Sequence, residues 1–196
     1  MEHYYSKNPS SELKIKKIQE NISGNLFEFY TSSGIFSKDK VDSGTMLLAK
    51  SMMVSKNSDV LDIGCGIGIL GIAAAKLFRA NVQMTDINQR AVMLAKKNIR
   101  LNNVDGEIFC GELYEKIKKN DFDCVLSNPP HNAGKEVCFR IIEGAFEHLK
   151  KNGTLQLVAR RNKGGESLSK KMEEVFGNVT AIAKQSGYWV YLSEKS

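Results

Sequence analysis

The sequence predicts an α/β domain built on a seven-stranded, mostly parallel sheet with helices on both faces and a C-terminal antiparallel hairpin. Three observations predict it. From Asp59 onward, short apolar runs alternate with segments of helical periodicity, as in strands joined by crossover helices. A glycine-rich segment, Asp62-Ile63-Gly64-Cys65-Gly66-Ile67-Gly68, joins the first strand to the first helix of that series. Only Lys184 to Gly187 separates the last two strand-like runs, which is too short for a crossover, so these two pair antiparallel.

The elements follow in order. Val60 to Ile63 is a short buried strand, and Ile69 to Phe78 a helix with a small-residue face at Ala73-Ala74-Ala75. Asn81 to Thr85 is a second strand ending at Asp86. Asn88 is placed to cap a helix through Leu101, whose Ala91, Leu94, Ala95 and Ile99 share one face. Gly106 to Cys110 and Phe122 to Ser127 are the third and fourth strands. A helix from about Lys135 to Leu149 carries a buried stripe at Val137, Ile141, Ala145 and Leu149. Gly153 to Val158 is the fifth strand and Gly164 to Val175 the next helix, before the closing strands Val179 to Ala183 and Tyr188 to Leu192.

The first 58 residues read as an extension packed over the mouth of the sheet, so that 1–196 forms one domain. In the extension, Leu26 to Tyr30 and Gly34 to Phe36 are expected to form a small hairpin turned at Ser32-Ser33-Gly34. Asp42 or Ser43 caps a helix from Thr45 to about Met53.

Composition narrows the class. No apolar run is long enough to span a bilayer, and Met1 to Lys17 is polar and basic, so a cytoplasmic location is expected. Cys65, Cys110, Cys124 and Cys138 form no C-x-x-C pair and no zinc-ligand spacing; they read as buried or loop thiols, and no metal is expected. The net charge of +6 favours a polyanionic partner. Among the basic clusters, Arg160-Arg161-Asn162-Lys163 follows a strand and stands out for that reason.

A strand, a glycine loop and a helix together make a nucleotide site, because glycine admits the ligand to the backbone and the helix start offers unpaired N–H groups. Two patterns overlap here. Gly66-x-Gly68-x-x-Gly71 with Asp86 downstream fits a dinucleotide fingerprint, which would suit a nicotinamide-dependent oxidoreductase. Asp62-x-Gly64-x-Gly66-x-Gly68 fits the loop that holds S-adenosylmethionine. Asp62 and the closing hairpin favour the second, and the Asn-Pro-Pro motif that follows the fourth strand decides for it. A carboxylate inside the loop repels a pyrophosphate but welcomes a cationic sulfonium and amine. The cofactor is therefore S-adenosyl-L-methionine, on a Rossmann-like sheet, with Asp86 accepting from the ribose.

Ser127-Asn128-Pro129-Pro130-His131 follows the fourth strand, at the carboxyl edge where open α/β sheets bind ligands. Two prolines freeze the backbone and remove two N–H donors, leaving carbonyls as fixed acceptors. The Asn128 side chain and the Pro129 carbonyl suit the two hydrogens of a planar exocyclic amine. Held this way, the amine points its lone pair at the methyl group. His131 either stacks on the base or donates to its edge.

The residues now in hand resemble a family. Val60 to Ala73, Asp86, and Asn128 to His131 resemble the small-domain class I methyltransferases with an Asn-Pro-Pro motif. Upstream, Ser33-Gly34-Ile35-Phe36-Ser37 and Val41 to Leu48 are similar to the lead-in of bacterial guanine-N2 methyltransferases of small-subunit ribosomal RNA, as is Asn132-Ala133-Gly134-Lys135 downstream. In length the chain is similar to short archaeal single-domain relatives.

The resemblance implies cofactor binding by Asp62, Gly64, Cys65, Gly66, Gly68, Asp86, Asn88, Glu112 and Asn128, and catalysis by Asn128, Pro129, Pro130 and His131. At 112 relatives carry Asp to meet the adenine amine, and at 131 Phe or Tyr. It further implies methylation of an exocyclic amine in RNA, above all guanine N2 of ribosomal RNA, free or within a ribosomal particle, by a monomer or homodimer. RNA selection then falls to the extension, the basic surface or partner proteins. Glutamine-amide methylation in proteins and adenine-N6 methylation are the alternatives within the enzyme class. A non-catalytic RNA-binding module on the same scaffold is the alternative outside it.

Overall fold

The computed structural model describes residues 14–32, 41–129 and 134–196. Two hairpin strands, β1 (Ile15–Ile22) and β2 (Asn25–Ser32), precede helix α1 (Ser43–Ser51). The main series is β3 (Asp59–Ile63), α2 (Ile69–Phe78), β4 (Asn81–Asp86), α3 (Gln89–Leu101), β5 (Glu107–Cys110), β6 (Phe122–Ser127), α4 (Gly134–His148), β7 (Leu149–Arg160), α5 (Glu166–Phe176), β8 (Thr180–Gln185) and β9 (Tyr188–Glu194). The seven-stranded sheet has the order β5-β4-β3-β6-β7-β9-β8. Neighbours from β5 to β7 are parallel, whereas β9 pairs antiparallel with both β7 and β8.

Strand alternation assigns each apolar residue to one of two layers. Val60, Val82, Met84, Leu126 and Val190 face the layer that holds α1, α2 and α3. Leu61, Ile63, Val125, Leu157 and Tyr191 face α4 and α5. Because both faces are covered, β3 and β6 carry adjacent apolar residues that point to opposite layers, Val60 and Leu61 in one and Val125 and Leu126 in the other, as parallel strands do. Gly71 is required by this packing: a Cβ there would lie 2.5 Å from Met84 Sδ, so α2 could not rest on β4.

The N-terminal hairpin differs from the sequence expectation. The predicted strand Leu26 to Tyr30 lies inside β2, but its partner is upstream, and the turn is Ser23-Gly24 instead of Ser32-Ser33-Gly34. Both turn residues have positive φ (50° and 81°), the geometry that two-residue hairpin loops use. The predicted second strand, Gly34 to Phe36, lies outside the described residues. The helix expected from Gly164 begins at Glu166, because Gly164 sits at φ 96° in a wide turn after β7.

Amide side chains fasten the extension to the sheet domain. Asn98 on α3 and Asn102, which caps the end of that helix one turn later, exchange hydrogen bonds with the backbone of β2. Asn98 Oδ1 accepts the Tyr30 amide (2.6 Å) and its Nδ2 donates to the Tyr30 carbonyl (3.1 Å). Asn102 does the same with Glu28, at 3.2 and 2.7 Å. Gln156 on β7 holds Met53, just after α1, accepting from Met53 N (2.8 Å) and donating to Met53 O (2.7 Å). The hairpin therefore rests on α3, and through Asn98, which also donates to the Ile67 carbonyl, it adjoins the glycine loop, while the start of α1 reaches Asn128.

Candidate active site

Strand order reverses between β3 and β6, which places their carboxyl ends side by side at the switch point of the sheet. Ile63 is in register with Ser127, whose Oγ donates to the Ile63 carbonyl at 2.9 Å. The glycine loop leaving β3 and the Asn-Pro segment leaving β6 therefore start from adjacent points. A small cavity between them is lined by Thr45, Asp62, Gly64, Cys65, Ile67, Ile69, Leu70 and Asn128. A larger cavity opens at the opposite, amino edge, around Asp59, Asn81 and Lys119, remote from both loops.

The loop itself is shaped by backbone demands. Gly64, Gly66 and Gly68 all have positive φ, at 70°, 56° and 89°. A side chain at any of the three would be strained. The loop is pinned from both sides: Cys65 N donates to the Thr85 carbonyl (2.9 Å), and Gly66 N donates to Asp86 Oδ2 (2.8 Å). Asp86 Oδ1 accepts from Asn88 N at 2.8 Å. Asn88 is buried and caps α3, its Oδ1 accepting from Arg90 N and Ala91 N. Burial holds the Cys65 thiol well above its ordinary range, so it stays protonated.

Asp62 is 1% exposed. Its Oδ2 accepts from Gly71 N at 3.0 Å, and its Oδ1 has no partner among the described residues. Burial pushes the carboxyl up to about 7; the Gly71 amide works against this and the nearby Asp86 adds to it. An orphaned carboxylate oxygen beside an open glycine loop fits a cationic ligand, since a positive group there would restore the ionised form. The donor set thus fits S-adenosylmethionine.

Asn128 is half-buried and Pro129 buried. Both hydrogens of the Asn128 amide are engaged, Nδ2 donating to Asp42 Oδ2 at 2.9 Å and to Thr45 Oγ1 at 2.7 Å. Pro130 and His131 lie outside the described residues. Glu112, after β5, is exposed and its Oε1 accepts from Arg140 Nη1 at 2.6 Å.

Sequence reasoning read Asp42 only as a helix cap and passed over Thr45 and Tyr188. Asp42 is a cap, with Gly44 N and Thr45 N at 3.0 and 3.1 Å from Oδ2, but its Oδ1 also accepts from Tyr188 Oη at 3.0 Å. No local signal joins Asp42 to Asn128, 86 residues away.

The same edge is basic. Arg160 ends β7 and stands in register with Tyr188, over whose ring its guanidinium lies at 4.6 Å. Arg161 and Lys184 lie over the Trp189 ring at 4.5 and 4.0 Å. Arg160, Arg161, Lys163 and Lys184 are all exposed.

Comparison with known proteins agrees with this geometry. The model of the methyltransferase small domain matches residues 26–192. Uncharacterized protein YbxB of Bacillus subtilis is 35% identical over 198 residues, covering 99% of this chain and 98% of that protein. Ribosomal RNA small subunit methyltransferase C of Salmonella choleraesuis is 30% identical over 190 residues, 94% of this chain but 54% of that protein. The chain thus spans about half the length of the methyltransferase C relatives. The structure of T. thermophilus 16S rRNA N2 G1207 methyltransferase (RsmC), in complex with AdoMet and guanosine, superposes with a TM-score of 0.84 at 26% identity, covering 96% of this chain and 52% of that one. By fold, glycine loop and sequence, the chain belongs to the methyltransferase small domain family of S-adenosylmethionine-dependent enzymes.

Proposed function

We propose that this protein methylates an exocyclic amine of a nucleobase in RNA, and that the base is guanine, at N2, in small-subunit ribosomal RNA. The observation that carries the reading is the placement of Asn128 beside the Asp62 loop at the switch point of the sheet. The likeness to methyltransferase C proteins and to RsmC supports RNA as the substrate class.

In this reading Asp62, Gly64, Cys65, Gly66 and Gly68 cradle the cofactor, with Asp86 and Asn88 on the ribose side and Glu112 near the adenine. S-adenosylmethionine, when bound, would supply an electrophilic methyl group on a sulfonium, whose sulfur would keep the electron pair of the broken S–CH3 bond and leave as the neutral thioether of S-adenosylhomocysteine. The Asn128 side-chain oxygen and the Pro129 carbonyl accept the two hydrogens of the target amine. That turns its lone pair out of conjugation and toward the methyl carbon. As the nitrogen forms its new bond, positive charge grows on it, and the two fixed acceptors stabilise that charge without reorganising. The methylated ammonium then releases a proton to water. Pro130 stiffens the segment, and His131 stacks on the base or donates to its edge.

A base buried in a duplex cannot reach this site, so the target is a nucleotide turned out of its stack, at a cost of a few kcal/mol. The exposed cations at the ends of β7 and β8 hold the flanking phosphates. A cytoplasmic location follows from that substrate.

The test is incubation with tritium-labelled S-adenosylmethionine and small-subunit RNA lacking its modifications, free or assembled, beside DNA and protein fractions. Label in RNA that co-migrates with N2-methylguanosine is expected. Label confined to protein or DNA would replace the substrate, and cofactor binding without transfer to any fraction would favour a non-catalytic binding module.

A further inference from the structure

The side-chain amide of asparagine can be turned either way, and only one orientation suits amine methylation: oxygen toward the substrate. Thr45 Oγ1 cannot decide the matter, because a hydroxyl both donates and accepts. An ionised carboxylate only accepts. With Asp42 Oδ2 at 2.9 Å, the group facing it must be the Asn128 nitrogen, since the oxygen would meet like charge there. Among the described residues, Asn128 Oδ1 has no hydrogen-bond partner. From this arrangement we infer that Asp42 is a positioning residue, which fixes the Asn128 amide so that its oxygen is presented to the target amine. The inference rests on the catalytic reading of Asn128 given above.

Asp42 is suited to this because it is itself held from three directions. Gly44 N and Thr45 N donate to the same Oδ2 that takes Asn128, and Tyr188 Oη donates to Oδ1. Tyr188 is 4% exposed and belongs to β9, so the last strand of the sheet braces the first helix of the chain. Gly44 makes room for it: a Cβ at 44 would sit 2.8 Å from Tyr188 Cδ1 and Cε1. A loop residue, a central strand end and an edge hairpin meet on one carboxylate.

Three variants separate positioning from folding. Asp42→Ser keeps a good helix cap but is too short to reach both Asn128 and Tyr188. It is expected to lower kcat by about 10- to 100-fold, the usual effect of losing a group that orients a ligand. The dissociation constant for S-adenosylmethionine should stay within about twofold and the melting temperature should be nearly unchanged. Asp42→Asn offers Asn128 an acceptor again and should recover kcat to within about threefold of wild type. Asn128→Ala is the reference for complete loss. A second readout needs no turnover: the Asn128 side-chain amide signal in a 15N-edited NMR spectrum, slow to exchange in wild type, should become fast in Asp42→Ser and slow again in Asp42→Asn.

Normal kcat and an unmoved amide signal in Asp42→Ser, with Asn128→Ala inactive, would overturn the positioning role and leave the catalytic reading standing. Normal turnover by Asn128→Ala would remove that reading and the inference with it. Should Asp42→Ser fail to fold, Tyr188→Phe removes only the hydroxyl that braces Asp42. A several-fold lower kcat at unchanged cofactor affinity is then expected, and wild-type kcat with a slow amide signal would overturn the inference.

Discussion

Asp62 accepts the Gly71 amide with one carboxylate oxygen and leaves the other buried without a described partner, so the first strand of the site ends on an unfavourable charge. The carboxyl is raised from 3.8 to about 7 by burial. Well below pH 4 it is neutral in folded and unfolded chains alike and costs nothing. Between about pH 4 and 7 the unfolded chain loses the proton and the folded chain keeps it, so stability falls as pH rises. At 1.36 kcal/mol per pKa unit, the full cost above pH 7 is on the order of 4 kcal/mol. Asp62→Asn should therefore raise the melting temperature of the cofactor-free protein at pH 8, and raise it only about a third as much at pH 5, where the unfolded carboxyl has been ionised for about one pH unit. Cofactor affinity at pH 8 should fall about tenfold or more, because the cation loses its counter-charge. Calorimetry at the two pH values checks both; an equal melting shift at each would show that the carboxyl is not perturbed.

Gly44 lies between Asp42 and Tyr188, and Gly44→Ala brings a methyl carbon to 2.8 Å of the Tyr188 ring and 3.0 Å of Asp42 Oδ2. The buried ring has little room to retreat. Overpacking of this kind costs about 1–3 kcal/mol. Thermal unfolding should show that loss, and kcat should fall further than stability alone explains, because the Tyr188–Asp42 hydrogen bond is broken. Retained kcat in a folded Gly44→Ala protein would count against the brace.

The basic edge makes a separable prediction about RNA. Arg161 is paired with Glu166 at 3.2 Å, but both are half-exposed or more, so the pair is worth little and leaves Arg161 available to a phosphate. Replacing Arg161, Lys163 and Lys184 together by Gln should weaken RNA binding and lower the slope of log affinity against log salt by about 2, at ~0.7 per single-strand phosphate contact. S-adenosylmethionine affinity should be unchanged. An unaltered salt slope would move the RNA to another face.

The parts of the fold that the sequence reveals are those in which neighbours along the chain decide the structure. Ile69–Phe78 and Phe122–Ser127 have the bounds expected from their apolar runs, and Asn88 caps α3 as its spacing requires. The Asp62 loop and Asn128 are legible as candidates because each motif is local, and the structure brings them together at the carboxyl ends of β3 and β6. β1 is not legible in the sequence although Ser23-Gly24 is a turn dipeptide, because Ile15, Ile18 and Ile22 are spread among charged residues and only Ile22 is buried. In sequence Gly164 reads as the start of a helix, because only a backbone angle, φ 96°, excludes it. The Asp42–Asn128 contact has no sequence signature, since it depends on how α1 docks over β7 and β9.

A last prediction follows from the two asparagines of α3. Polar residues on an otherwise apolar buried stripe need partners, and Asn98 and Asn102 find theirs on the backbone of β2. The helix face takes the role of a third strand for the hairpin, satisfying an amide and a carbonyl at Tyr30 and again at Glu28. Asn98 Nδ2 also donates to the Ile67 carbonyl at 2.9 Å, which ties the same contact to the cofactor loop. Asn98→Ala takes the side-chain partner from three groups, the half-buried Tyr30 amide and carbonyl and the Ile67 carbonyl, at about 1–3 kcal/mol for each group left unsatisfied. Asn102→Ala touches only the hairpin and the Asn98 carbonyl. Both variants should lower the melting temperature, but only Asn98→Ala should also weaken S-adenosylmethionine binding, because only there does the loop lose a restraint. Hydrogen exchange at the Tyr30 and Gly66 amides distinguishes them: both amides should exchange faster in Asn98→Ala, whereas in Asn102→Ala the change should stay within the hairpin. Equal effects on Gly66 would mean that the hairpin and the cofactor loop are coupled through α3 as a whole and not through Asn98.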